Sequence, residues 1–111
     1  MAGDDLENKP GDLLARIKSL LAQAFGQRLR GVVLYGSQAR GQAQPDSDID
    51  LLVLLDGPIN DSRDSWLCIH VLYPLVLELE RPIHTQPVDI KSYEAQEFSL
   101  YRNAKREGIM A

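Results

Sequence analysis

At 111 residues, 44% of them hydrophobic and 25% charged, the chain has the makings of one globular domain, too short for a catalytic domain plus a separate substrate domain. A formal net charge of -4 argues against a duplex-DNA binder, which needs clustered Lys and Arg to neutralise phosphates. With a single cysteine, Cys68, neither an internal disulfide nor a cysteine-rich zinc site can be built.

The start, MAGDDLENKPGD, is polar and acidic and lacks the basic and apolar regions of a signal peptide. No apolar run approaches the roughly 20 residues of a spanning helix, so the expectation is a cytoplasmic protein with no membrane partner. Residues 1–10 are expected to form a flexible tail and 11–111 a single domain. Pro10, Gly11 and Asp12 read as a helix entry, with Asp12 placed to cap the first free amides. Leu13, Leu14, Ile17, Leu20, Leu21, Ala24 and Phe25 then recur at helical spacing, to an end near Gly26. Gly31 to Tyr35 is a short β-branched run that predicts a buried strand, followed by a tight turn at Gly36 and a short helix capped by Ser37 through Gln38, Ala39 and Arg40. Ile49 to Leu55 predicts a second strand, which Asp56, Gly57 and Pro58 stop.

Residues 63–80 carry apolar side chains at helical spacing, and Pro74 is expected to kink or divide that helix. Trp66, Tyr73 and its leucines read first as core, and any left on an exposed apolar stripe would mark an interface. His70 is expected in the core or facing a partner. Pro82 and Pro87 bracket an expected loop that holds His84, to which no metal role is given. Val88 to Ile90 predicts a short strand centred on Asp89, and Glu94 to Glu107 a helix closing at Gly108. The class expected is α/β or α+β, with one small mixed sheet of three to four strands flanked by helices.

The chemistry sits in "GVVLYGSQARGQAQPDSDIDLLVLLD", residues 31–56. Carboxylates beside a hydrophobic strand are costly unless hydrogen-bonded, paired or bound to a metal. On a strand, Asp48 and Asp50 point to one face with Cα atoms about 6.6 Å apart, while Ile49 faces the core. If the Asp89 strand lay beside theirs, three carboxylates would converge, and a multivalent cation would be needed to offset their repulsion. All-oxygen donors select Mg²⁺ or Mn²⁺, and two such ions about 3.5 to 4 Å apart could share Asp48 and Asp50. After Gly36, the amides at Ser37 can receive phosphate oxygens. No Gly-Lys-Ser or Gly-Lys-Thr follows, which excludes a Walker loop.

The strings GSQARG, SDIDLLV and the later VDI resemble the nucleotidyltransferase superfamily that includes DNA polymerase beta, and in particular its small stand-alone members, the minimal nucleotidyltransferases, often encoded beside a helical HEPN partner as an antitoxin. The resemblance runs over residues 13–108, with its specific part in 36–55. It implies that Gly36 and Ser37 bind the phosphates of a nucleoside triphosphate such as ATP. It makes Asp48 and Asp50 catalytic metal ligands and Asp89 the third carboxylate, a ligand and potential base. Arg40 is the candidate for a phosphate contact that a basic residue often makes at the Gln38 position. The implied reaction moves a nucleoside monophosphate, AMP from ATP, to a hydroxyl with release of pyrophosphate. The implied acceptor is a tyrosine of a HEPN-type toxin, and the small size points to such a partner or to a homodimer. The alternatives are a non-catalytic module that neutralises or scaffolds a partner, and nucleotidyl transfer to a small molecule.

Overall fold

A computed structural model describes residues 10–36 and 48–111. Helix α1, Pro10–Phe25, buries Leu13, Leu14, Ile17, Leu21 and Phe25, one stripe at the spacing its sequence prescribes. A single 3₁₀ turn, Gly26–Arg28, leads into strand β1, Leu29–Tyr35. Strand β2, Ile49–Leu55, is followed by helix α2, Asp61–Leu79, strand β3, Ile83–Asp89, helices α3, Ile90–Glu94, and α4, Ser99–Glu107, and strand β4, Ile109–Met110. The sheet order is β3-β2-β1-β4. Strand β1 is antiparallel to both of its neighbours, and β2 is parallel to β3. A parallel pair needs a crossover, and α2 supplies it.

Both faces of this sheet are covered, which is why β1 and β2 read as nearly unbroken apolar runs. Val32, Leu34, Ile49, Leu51, Val53 and Leu55 pack on α1 and α2. The alternate residues Val33, Leu52, Leu54 and Val88 pack on Tyr93, Tyr101 and Ala104 from α3 and α4. A four-stranded mixed sheet flanked by helices is the class expected from the sequence. None of the described helices is long and apolar enough to cross a membrane.

One buried ion pair locks the crossover in place. Asp64, in the first turn of α2, is fully buried, and Arg28 donates to both of its oxygens at 3.0 and 3.2 Å. The Asn60 amide donates to the same carboxylate at 3.0 Å, while the Asn60 side chain caps α2 by accepting from the Arg63 amide at 2.9 Å.

The boundaries differ from expectation at four places. Helix α2 runs unbroken through Pro74, which lies on its exposed side, away from the sheet that holds the helix in place. The expected loop between Pro82 and Pro87 is strand; β3 is an edge strand, where a residue without an amide hydrogen costs least. The predicted strand at 88–90 ends at Asp89, whose side chain accepts from the Lys91 amide at 2.9 Å and starts α3. The expected helix over 94–107 is two helices, broken where Gln96 takes a φ of 53°. The predicted short helix from Ser37 to Arg40 and residues 1–9 of the tail expected over 1–10 lie outside the described residues, while Pro10 already belongs to α1.

Candidate active site

Ile49 is wholly buried on the α1 and α2 side of the sheet, so strand alternation turns Asp48 and Asp50 to the opposite side, at the start of β2. Across the sheet Asp50 pairs with Tyr35, the last residue of β1, and with His84, the second residue of β3. Three strand ends therefore meet around two carboxylates. His84 Nε2 donates to Asp48 Oδ2 at 2.9 Å, both side chains being exposed.

The turn that closes β1 is shaped to the second carboxylate. Gly36 has a φ of 78°, and a Cβ there would stand 3.1 Å from Asp50 Oδ2. A side chain at this position would strain the backbone and press on the carboxylate. Partial burial raises the Asp50 carboxyl above its ordinary range, and repulsion from Asp48 adds to that shift, whereas His84 opposes it. Burial, followed by the negative charge of Asp50, likewise raises the Tyr35 phenol. This end of the sheet thus sets a partly buried carboxylate beside an exposed one of like charge, an arrangement that a cation relieves.

The two aspartates fit Mg²⁺ or Mn²⁺ by their donor chemistry, since Mg²⁺ is commonly held by one or two carboxylates and completes its shell with substrate phosphates and water. Among the described residues no three His, Cys, Asp or Glu side chains converge as a ready-made cage. His84 is suited to orienting Asp48 through its hydrogen bond, as outer-shell partners of metal-binding carboxylates do.

The expected convergence of three carboxylates does not occur. Asp89 pairs with Leu55, at the far end of β2, which puts it about 17 Å along the strand from Asp50. There it caps α3 and lies so close to Gly57 that a Cβ on that glycine would collide with its carboxylate. The physical reason is register: β3 starts level with β2 and runs parallel to it, so its first residues meet Asp50 and its last does not. The residue that sequence reasoning missed is His84, which occupies the place expected of Asp89. The signal was the alternation of β-branched Ile83 and Thr85 with His84 and Gln86, masked by the two prolines around it. Ser37 and Arg40 lie outside the described residues.

The family model of a nucleotidyltransferase domain matches residues 14–109. Among solved structures, the chain is similar to a toxin-antitoxin with AMP-PNP, at 18% identity and a TM-score of 0.60 over 86% of this chain and 69% of that one. It is also similar to a mutant of the toxin-antitoxin MntA-HpeT that carries two Asp-to-Glu substitutions two positions apart. That match has 17% identity and a TM-score of 0.61, again over 86% of this chain and 69% of that one. At these identities the likeness is one of fold.

Proposed function

Because the chain belongs to the nucleotidyltransferase domain family, we propose that it moves a nucleoside monophosphate, AMP from ATP, to a hydroxyl on a partner protein, a tyrosine of a HEPN-type helical toxin, and acts as that toxin's antitoxin. The observation that carries this reading is the Asp48 and Asp50 pair, held on one side of β2 against the Gly36 turn. Asp48 and Asp50 would hold Mg²⁺ or Mn²⁺. When bound, such an ion supplies the positive charge that offsets the triphosphate and the leaving pyrophosphate. Gly36 lets the backbone approach the phosphates without a side chain in the way, and Ser37 and Arg40 are the proposed phosphate contacts beyond it. His84 holds Asp48 in one orientation. The acceptor hydroxyl comes from the partner. The solved relatives support this reading, one being a toxin-antitoxin with an ATP analogue and another bearing its two substitutions on aspartates spaced as Asp48 and Asp50 are.

The test is label transfer from ATP carrying ³²P at the α-phosphate, with Mg²⁺, to a co-purified partner protein. Wild type is expected to label the partner, and Asp48→Ala to lose at least about two orders of magnitude in rate, the scale on which electrostatic stabilisation of a transition state is felt. Equal labelling by the two proteins rejects the mechanism.

One observation favours a second reading, a module that neutralises its partner by binding alone: Asp89 stands apart, and an imidazole takes the place expected of a third carboxylate. On that reading Asp48→Ala leaves partner inhibition intact.

A further inference from the structure

Helix α2 covers the sheet with one side and turns an apolar stripe outward. Trp66, Ile69, Tyr73 and Leu77 are exposed by 59%, 62%, 55% and 59%. Spaced by 3, 4 and 4 residues, they form one apolar stripe along the helix, the kind of face that packs on another helix. His70 and Pro74 are exposed on the same side, and the Trp66 and His70 rings are already stacked, with centroids 4.8 Å apart and planes 8° off parallel. Rings ordered in advance lose little freedom when they are covered.

The order of side chains along this face points to its occupant. Read forward from Arg63 and backward from Glu80, the exposed residues of this face complement one another: a base against an acid, Trp66 against Leu77, Ile69 against Pro74, and the ring of His70 against that of Tyr73. All eight lie within about 140° of one another around a helix of 3.6 residues per turn. An unrelated partner would impose no such relation between the two halves. A twofold axis imposes it, because each residue then meets its mirror position on the other copy.

We propose that this face is a homodimer interface, in which α2 packs antiparallel against α2 of a second copy about a twofold axis level with Val71 and Leu72. Trp66 then covers the partner's Leu77, Ile69 covers the partner's Pro74, and His70 covers the partner's Tyr73. Arg63, which has Asp64 at 3.9 Å within its own chain, reaches the partner's Glu80 at each end of the seam. The eight residues together offer on the order of 800 Å² per copy, the area per partner of a standard stable interface. The interface lies on the α1 and α2 side of the sheet, away from Asp48 and Asp50, and does not depend on the catalytic reading.

Sedimentation equilibrium of the full chain tests the proposal, with circular dichroism as a check that each variant folds. Wild type is expected to dimerise with rising concentration, and Ile69→Asp to remain a folded monomer. Arg63→Glu and Glu80→Arg are each expected to weaken self-association by about tenfold, since each puts like charges at both ends of the seam. Mixed together, the two charge variants are expected to form a heterodimer, in which every end again pairs opposite charges. A wild type that stays monomeric overturns the proposal, as does a dimer indifferent to all three substitutions. So does a monomer that binds another protein through Ile69, because the face then belongs to that protein.

Discussion

At the scale of one residue, Arg28 and Asp64 tie the first turn of α2 to the turn leading into β1. A fully buried carboxylate is tolerable only because Arg28 and the Asn60 amide satisfy it, and those hydrogen bonds, with Arg28 first, hold its carboxyl below the usual range. Arg28→Met leaves the charge buried without its principal donor, and urea denaturation at neutral pH is expected to show a loss of about 3 kcal/mol. Because the folded carboxyl titrates below its unfolded value of about 3.9, the contribution is complete above that value and is lost as pH falls through the lowered one. The same experiment repeated toward pH 3 is therefore expected to narrow the gap between wild type and variant. The single cysteine illustrates the opposite pressure. Burial pushes the Cys68 thiol up to about 11, which keeps it protonated and unreactive inside α2. Of the candidate site residues, Asp48, Asp50 and Gly36 were legible because strand alternation and a turn glycine act within a few residues of chain. His84 was not, because its role depends on the register of a parallel partner contributed after a 19-residue helix.

Local patterning located the elements wherever it was strong. The stripe of α1 and the apolar run of β2 are where the sequence puts them, the latter over the predicted residues 49–55. Weak segments were settled by tertiary partners instead. The two-residue strand β4 has no sequence signature; it exists because Ala111 and Val32 exchange backbone hydrogen bonds at 2.9 and 3.1 Å. Gly108 makes that return possible: a Cβ there would stand 2.5 Å from the Ala104 carbonyl oxygen and 2.7 Å from Val33 Cγ1. Gly108→Ala is expected to cost about 1 to 3 kcal/mol in thermal denaturation, as overpacking does, and to loosen the β1 edge in hydrogen exchange. Asp89 makes a sharper case, since its two readings predict different losses. As the cap of α3, it is expected to lose about 1 kcal/mol of stability on substitution by Ala while retaining nucleotidyl transfer. A catalytic carboxylate would show the reverse.

On the scale of the whole molecule, a sheet buried on both faces leaves its ends as the places for chemistry. One end gathers Asp48, Asp50, His84 and the Gly36 turn; the other gathers Asp89, Asp56 and Gly57, with structural duties. The class of the fold followed from the alternation of helical and apolar segments, whereas the division of labour between the two ends could not, since it rests on which strands run parallel. On the proposed function, the Asp48 end alone binds the nucleotide. The direct measurement is calorimetric binding of AMP-PNP with Mn²⁺ to wild type and to the Asp48→Ala, Asp50→Ala and Asp89→Ala proteins. Metal-dependent binding is expected in wild type and Asp89→Ala, and its loss in the other two. Binding that survives at Asp48→Ala and Asp50→Ala, or that vanishes with Asp89, would contradict it.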